Sequence, residues 1–502
     1  MTTPQAGQGG WRTLFSLNAE AGPSLQVQIR TQLMAAIRSG ILPPGARLAS
    51  SRDLAEALGV SRNTVVLAFK HLIASQILEV RDRSGVQVAP GAAAKLAPGA
   101  APDGQEAGAV DWTRKLALIP SRQRNIEKPW DWRRYRYPFI YGQSDPTLFP
   151  MADWRDCART ALSANEIEGW SGDLIDGDYA PLIEQLRLGV LPRRGVWARP
   201  DEIILTLGAQ NALYMIASLL GGPGRTVAVE NPGYPDARNI FALSGAQIVQ
   251  MRPDAEGIDP AHAPRGPALL YLSPCQQCPT GAVMSEARRT RLLEEAERQD
   301  WIIIEDDYGS ELLGETNAPA ALKAEDRAGR VIYVGSLSKI LAPGLRLGYI
   351  VAPAPLIKEF RALRRLMLRH PPSNNQHMTS LFLSLGYGEA HFVRYAATLQ
   401  ARALELKRAL HKHLPGWKIG PGANASSLWV ETERDLEVRK LAALAAQDGV
   451  LIEPGDIFFE RAEDGARCIR FGLASISQDR IETGVQILAG CAGRLLHQTR
   501  TL

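Results

Sequence analysis

The sequence predicts two unequal domains: a small unit with a helix-turn-helix pattern, followed by a large α/β domain built on a mostly parallel sheet. Three observations carry this. Apolar residues recur at helical spacing between Leu25 and Ile73. After Val88 the chain reads APGAAAKLAPGAAPDGQEAGA, which is dominated by Ala, Pro and Gly, has no apolar period and marks a linker. Beyond Pro129, short apolar runs alternate with longer helical patterns, as expected where strands are sandwiched by helices. The resulting division is 20–90, a linker over 91–130, and 131–502.

The chain has 502 residues, of which 45% are hydrophobic and 22% charged, a composition typical of globular domains. It contains no run of the roughly eighteen apolar residues that a membrane helix needs. The N-terminal MTTPQAGQGGWRTLF lacks a basic segment followed by an apolar stretch, so the expected location is the cytoplasm. Five cysteines, Cys157, Cys275, Cys278, Cys468 and Cys491, are too sparse for a disulfide framework. The net charge of +4 is modest, but the segment from Ala21 to Pro90 alone holds eight basic residues against four acidic ones. That excess fits a nucleic-acid footprint and equally a solvated helical face.

In the small unit, Leu25, Ile29, Leu33, Ala36 and Ile37 define a first helix, which Gly40 can close in a left-handed conformation. Ser50 and Asp53 form a capping-box-like start for a short second helix ending near Leu58, and Gly59-Val60-Ser61 supplies a tight turn. Ser61 caps a third helix with an inward stripe of Val65, Phe69, Leu72 and Ile73. Arg62, Asn63 and Thr64 occupy its first turn, where a recognition helix presents side chains to a groove. ILEVRDRSGVQVA then reads as two strands around a turn at Asp82–Gly85, a wing.

In the large unit, buried strands are predicted at Glu202–Leu207, Thr226–Val229, Ala268–Leu272, Trp301–Glu305, Val331–Val334 and Gly348–Val351. VIYVGSLSKILAPGLRLGYIV places Lys339 just beyond a strand, with Ser336 before it and Arg346 after it. An aldehyde cofactor such as pyridoxal phosphate needs a lysine for a Schiff base, with hydroxyl and guanidinium groups for its phosphate. Gly208-Ala209-Gln210, at a strand-to-helix turn, can offer backbone N–H groups to the same phosphate. WIIIEDDYGSE ends a buried strand in carboxylates, so Asp306 and Tyr308 fall at the carboxyl edge of the sheet, where open α/β folds bind ligands. A carboxylate there can keep a pyridine nitrogen protonated, and a phenol can bond to the ring's 3-oxygen. Standing alone, the acidic run would read as a solvated strand end, and an isolated Ser-x-Ser-Lys is more often surface than catalytic.

The segment from Leu25 to Ala89 resembles the GntR-type winged helix, through the Ser-Ser-Arg of the second helix, the Val-Ser-Arg-Asn-Thr-Val start of the third and the Ser-Gly wing tip. The resemblance implies DNA contacts at Arg52, Ser61, Arg62, Asn63, Thr64 and Gly85; Ala49 departs from the usual proline before Ser-Ser-Arg. From Tyr141 to Leu473 the chain resembles fold-type I aminotransferases, through YGQSDPTLFPMADW, LGAQNAL, VENPGYPDAR, CPTG, EDDYGSE, GSLSKILAPGLRLGY and IRFGLA. The joined architecture is closer still to the MocR subfamily of GntR-type regulators. That resemblance implies a winged helix-turn-helix plus a pyridoxal 5'-phosphate-binding α/β domain. It makes Lys339 the Schiff-base residue, Asp306 the pyridinium partner, Tyr308 the 3-oxygen partner, and Ser336, Arg346 and Gln210 phosphate-side residues, with Tyr234 lining the pocket. Arg470 matches a position that holds a ligand carboxylate. SPCQQCPTG departs from the His-Gln-aromatic pattern common in related regulators, which puts the ring contacts in question. Cys275 and Cys278 in that loop have a redox-like or metal-like spacing, but no second pair accompanies them, and they read as small pocket residues.

The resemblance further implies a homodimeric transcription regulator of promoter DNA, in which a small amine or amino-acid effector reacts with the lysine-bound cofactor. Two alternatives stay open from sequence: a working aminotransferase carrying a DNA-binding head, and a regulator that responds to the cofactor itself.

Overall fold

The computed structural model describes residues 11, 14–18, 23–81, 85–96, 110–309, 319–339, 341–422 and 426–500, and the chain divides into two compact units, Met1–Lys115 and Leu116–Leu502. The first contains helices α1 (Leu25–Arg38), α2 (Ser51–Leu58) and α3 (Arg62–Ala74) and an antiparallel hairpin of β1 (Leu78–Arg81) and β2 (Gly85–Val88). The predicted stripes meet in one core of Ile29, Leu33, Ile37, Leu54, Val65, Phe69 and Leu72, whereas Ile73 is only partly buried at its edge. Both predicted caps form. Ser50 Oγ accepts the Asp53 N–H at 3.2 Å, and Ser61 Oγ accepts the Thr64 N–H at 3.1 Å, satisfying helix N–H groups that have no intrahelical partner. Gly59, at φ 66°, turns α2 into α3 in a left-handed conformation costly for other residues. The core also takes in Phe15 and Ala92, both buried, so the packed unit extends beyond the 20–90 read from composition. The wing tip at Asp82–Ser84 and linker residues 97–109 lie outside the described residues.

The second unit carries two sheets. Strands β4 (Ile203–Thr206), β5 (Thr226–Glu230), β6 (Gln247–Met251), β7 (Ala268–Leu272), β8 (Trp301–Asp307), β9 (Val331–Ser336) and β10 (Gly348–Val351) form a seven-stranded sheet in the order β4-β10-β9-β8-β7-β5-β6. All pairings are parallel except those of β10, which runs antiparallel to β4 and β9. The central strands are covered on both faces, which is why their sequences are continuous apolar runs rather than alternations. Of this sheet only β6 was not predicted; QIVQM is half-exposed and offers no apolar run.

The smaller sheet joins β3 (Tyr137–Phe139), β11 (Lys418–Ile419), β12 (Ser427–Glu431), β13 (Val450–Pro454) and β14 (Cys468–Gly472) in the order β11-β12-β14-β13-β3. Two long helices, Tyr387–His413 and Gln478–Arg500, pack with it around Phe139, Leu399, Leu406, Ile469 and Phe471. Residues 116–130, read from composition as linker, belong to this unit. Gln123 donates to the Asn239 carbonyl at 3.1 Å and Arg124 to the Asp456 carbonyl at 2.7 Å, so polar side chains rather than an apolar stripe tie the segment down. Among the described residues no helix is long and apolar enough to cross a membrane.

Where β10 passes the turn after β4, backbone nearly touches backbone: a Cβ at Gly348 would lie 2.8 Å from Gly208 Cα and 2.9 Å from the Gly335 oxygen. Gly348→Ala should therefore destabilise the protein by about 1–3 kcal/mol in denaturant unfolding, the usual cost of overpacking a rigid site. An unchanged midpoint would show that β10 can move away freely.

Candidate functional site

At the carboxyl ends of β8 and β9, the large sheet and the smaller one enclose a cavity of about 280 Å³. Among the residues predicted from sequence, Ala209, Gln210, Tyr234, Asp306, Tyr308, Ser336, Lys339, Arg346 and Arg470 all line it. Gly208, at φ 82°, is the N-cap residue of helix α4 (Ala209–Leu220), just behind the lining. A helix N-terminus with free N–H groups favours an anion. Arg346 reaches this turn from the connection between β9 and β10 and donates to the Leu207 carbonyl at 2.9 Å. A Cβ at Gly208 would fall 3.1 Å from the Arg346 guanidinium, a tight contact, and the backbone there, at φ 82°, is one that glycine adopts without strain. Arg346 itself has a left-handed backbone, φ 52°, a strained conformation of a kind that clusters at functional sites.

Lys339 follows β9, with Nζ 4.1 Å from the centroid of the Tyr141 ring. Burial, aided by the positive charges of Arg470 and Lys128, brings its pKa down to about 7. A large fraction is thus a neutral amine near neutral pH, the form that attacks a carbonyl. Asp306 is buried on β8; one oxygen accepts the Tyr271 hydroxyl at 2.6 Å, and the other, Oδ1, has no hydrogen-bond partner. Burial raises its pKa to about 6 against the pull of Tyr271 and Lys339. Tyr308 donates its hydroxyl to the Gln276 carbonyl at 2.8 Å, so in this structure the phenol is tied to the loop beside it. Tyr234 donates to Asp236 at 2.9 Å, and Gln210 donates to the same carboxylate oxygen at 3.1 Å.

The SPCQQCPTG loop resolves into separate tasks. Gln277 bonds to the Pro232 carbonyl at 2.8 Å and accepts from Thr280, which fixes the loop backbone, while Gln276 donates to Ser426. The two cysteines face different partners. Cys275 receives a hydrogen bond from Arg194 at 2.8 Å, and Cys278 lines the cavity with its sulfur 3.9 Å from Arg470. Burial pushes these thiols up to about 12 and about 11, away from the thiolate form that redox and metal chemistry use.

From the smaller sheet comes Arg470, on β14, paired across the strands with Glu453 on β13. Its Nε donates to Glu453 at 2.8 Å, its guanidinium lies 4.5 Å from the Tyr141 and Phe458 ring centroids, and Nη2 is buried without a partner. Glu453, Lys128, Tyr141 and Tyr271 were not singled out from sequence. Tyr271 left one clue, a lone phenol within the buried run ALLYL, which needs a partner inside. Lys128 and Glu453 left none, since each stands in a segment without a motif.

These residues fit pyridoxal phosphate. The partnerless Asp306 oxygen suits a protonated ring nitrogen, the Gly208 turn with Arg346 suits a phosphate, and Lys339 is an amine of depressed basicity between them. Fold and cavity together define a pyridoxal-phosphate-binding domain of the aminotransferase class.

The description "Aminotransferase class I and II" matches residues 191–488, and "Bacterial regulatory proteins, gntR family" matches residues 25–88. Over 468 residues the chain is 41% identical to the HTH-type transcriptional regulator TauR of Rhodobacter capsulatus, covering 93% of this chain and 96% of that protein. It is 30% identical over 485 residues to the probable rhizopine catabolism regulatory protein MocR of Rhizobium meliloti, covering 95% of each. The chain therefore belongs to the MocR-type GntR transcription regulators, which join a winged-helix DNA-binding domain to an aminotransferase-like domain with pyridoxal phosphate as cofactor. Among solved structures, the α-aminoadipate aminotransferase LysN of Thermus thermophilus, complexed with N-(5'-phosphopyridoxyl)-L-leucine, superposes with a TM-score of 0.69 at 26% identity, covering 78% of this chain and all of that one.

Two outcomes follow for the cofactor. Because the amine must be neutral to attack, uptake of pyridoxal phosphate should accelerate as pH rises through about 7, followed by the growth of visible absorbance. A profile that rises only near the ordinary lysine range would refute the lowered basicity. Asp306→Asn should weaken cofactor binding by about 1.5–3 kcal/mol, the worth of a charged hydrogen bond, while raising the thermal stability of the cofactor-free protein by removing a buried, half-satisfied carboxylate.

Proposed function

We propose that this regulator senses a small amine or amino acid in the cavity and turns its capture into a change of promoter affinity. The observation that carries the reading is the co-location of an amine of depressed basicity, Lys339, and a buried arginine with an unpartnered donor, Arg470, in one cavity. A ligand with an amino group and an acidic group satisfies both. When bound, pyridoxal phosphate supplies an aldehyde carbon for which the effector's amine competes with Lys339. Asp306 would hold a proton at the ring nitrogen, Ser336, Arg346 and the Gly208–Gln210 turn would hold the phosphate, Tyr308 would serve the ring's 3-oxygen, and Tyr234 would line the pocket. Arg470 orients the acidic end by paired N–H donors.

On the DNA side, Arg52, Arg62 and Asn63 are exposed on α2 and α3, and Gly85 is exposed at the wing. Arg62 Nε lies 3.4 Å from Ser51 Oγ, leaving its guanidinium tip available to fork onto a guanine. The Ser61 and Thr64 hydroxyls lie 2.8 Å apart at the start of α3, which suits them to positioning a phosphate while capping the helix. In this reading the unit built around residues 20–90 holds the DNA, and the unit from Leu116 to Leu502 binds effector. The protein acts in the cytoplasm as a homodimer, so its operator contains repeated half-sites.

Operator binding measured by fluorescence anisotropy tests the scheme. Arg62→Ala should cost about 1–3 kcal/mol on the operator, and raising salt should weaken wild-type binding steeply. Lys339→Ala should abolish both the borohydride-reducible cofactor label and the effect of amines on operator affinity. An amine response that persists in that variant would refute the sensing scheme.

A further inference from the structure

The wall of the cavity opposite in chemistry to the phosphate turn is organised by one carboxylate. Glu453 is buried and fully engaged: Oε1 accepts the Tyr141 N–H at 3.1 Å and lies 3.2 Å from Lys128 Nζ, and Oε2 accepts Arg470 Nε at 2.8 Å. Two cations thus share a single anion. Lys128 also donates to the Tyr141 carbonyl, which holds its amine at the cavity, and its side chain is 22% exposed. The other acids that line the cavity are engaged in different ways: Asp306 lies at the Tyr271 end, and Asp236 accepts from Tyr234 and Gln210. Lys128 and Arg470 thus pair with the same carboxylate, Asp236 acts on Lys128 from farther off, and Arg470 keeps a buried Nη2 without a partner. A buried cationic donor left without an acceptor is costly until one arrives.

Glycine at position 142 brings this cluster close to the reacting amine. A Cβ there would lie 3.4 Å from Lys128 Nζ and 3.9 Å from Lys339 Nζ, so both amines face the space beside Gly142. An effector whose amine approaches Lys339 meets Lys128 after only a short chain.

We infer that Lys128 is a specificity-determining residue, which with Arg470 reads the acidic group of a short amine bearing one negative charge, a carboxylate or a sulfonate. The inference rests on the amine-sensing reading above and adds the ligand class to it. Lys128 selects by charge rather than by shape: an ammonium on a flexible stem accepts either head group, whereas the Arg470 fork, with Nε already given to Glu453, offers the ligand only part of its donor set.

The test titrates holo-protein with 3-aminopropanoate, 2-aminoethanesulfonate and propylamine, reading the cofactor's visible absorbance. In the wild type, the two acid-bearing probes should bind more tightly than propylamine. In Lys128→Met, the ratio of acid-bearing to plain amine affinity should fall by about tenfold or more, as expected for loss of a charged partner, and Lys128→Arg should restore most of it. Because the readout is a ratio within one protein, a general loss of folding or of cofactor would not mimic the result. A ratio in Lys128→Met equal to that of the responding wild type overturns this inference alone. A wild type whose absorbance none of the three probes moves overturns the amine-sensing reading and this inference with it. A fall confined to one acid-bearing probe supports the role of Lys128 and identifies the head group.

Discussion

The constraint on which the site depends is that charge buried in the cavity must be balanced locally. Lys339, Lys128 and Arg470 bring three cationic groups close to one another, with Glu453, Asp306 and Asp236 standing against them around the cavity. The molecule resolves this in two ways. Lys339 gives up its proton easily, with its pKa down to about 7, and Arg470 keeps its charge by pairing with Glu453 across neighbouring strands. Both outcomes are useful chemically, since one yields a nucleophilic amine and the other a permanent cation for an acidic ligand.

The two sheets divide that labour. The large parallel sheet ends in the groups suited to the cofactor: Asp306 at the end of β8, Ser336 at the end of β9 and the N-terminus of α4 after β4. Open α/β sheets gather such groups because parallel strands deliver all their carboxyl ends to one edge. The smaller sheet presents Arg470, with Glu453 beside it, toward the same space. In the proposed reading cofactor and effector fall to different structural layers, so that changes on one sheet would alter ligand preference while the other keeps its hold on the cofactor. The close backbone approach of Gly208 and Gly348 fixes the turn before α4 against β10.

Much of this was legible in the sequence. Periodicity located α1 to α3 and six strands of the large sheet, because buried elements carry apolar patterns whose period reflects their geometry. The resemblance to MocR-type regulators placed the lysine, aspartate and arginines in one pocket. Composition misled where packing is polar: residues 116–130 look like linker, yet Gln123, Arg124 and Lys128 tie them to the large unit by side-chain hydrogen bonds. Strand β6 was invisible for the related reason that an edge strand need not be apolar throughout.

The sequence by itself determined the two-domain plan by composition and periodicity and, through the family resemblance that its motifs carry when taken together and in order, the winged helix and the kind of cofactor chemistry. Only the tertiary structure decided which groups share charge. Lys128 and Glu453 stand 325 positions apart and reach each other because β3 and β13 are neighbours and the segment before β3 folds back onto the large unit. No periodicity records such a meeting: a single buried ion pair depends on where two chain segments end up in space and leaves no repeat along either one.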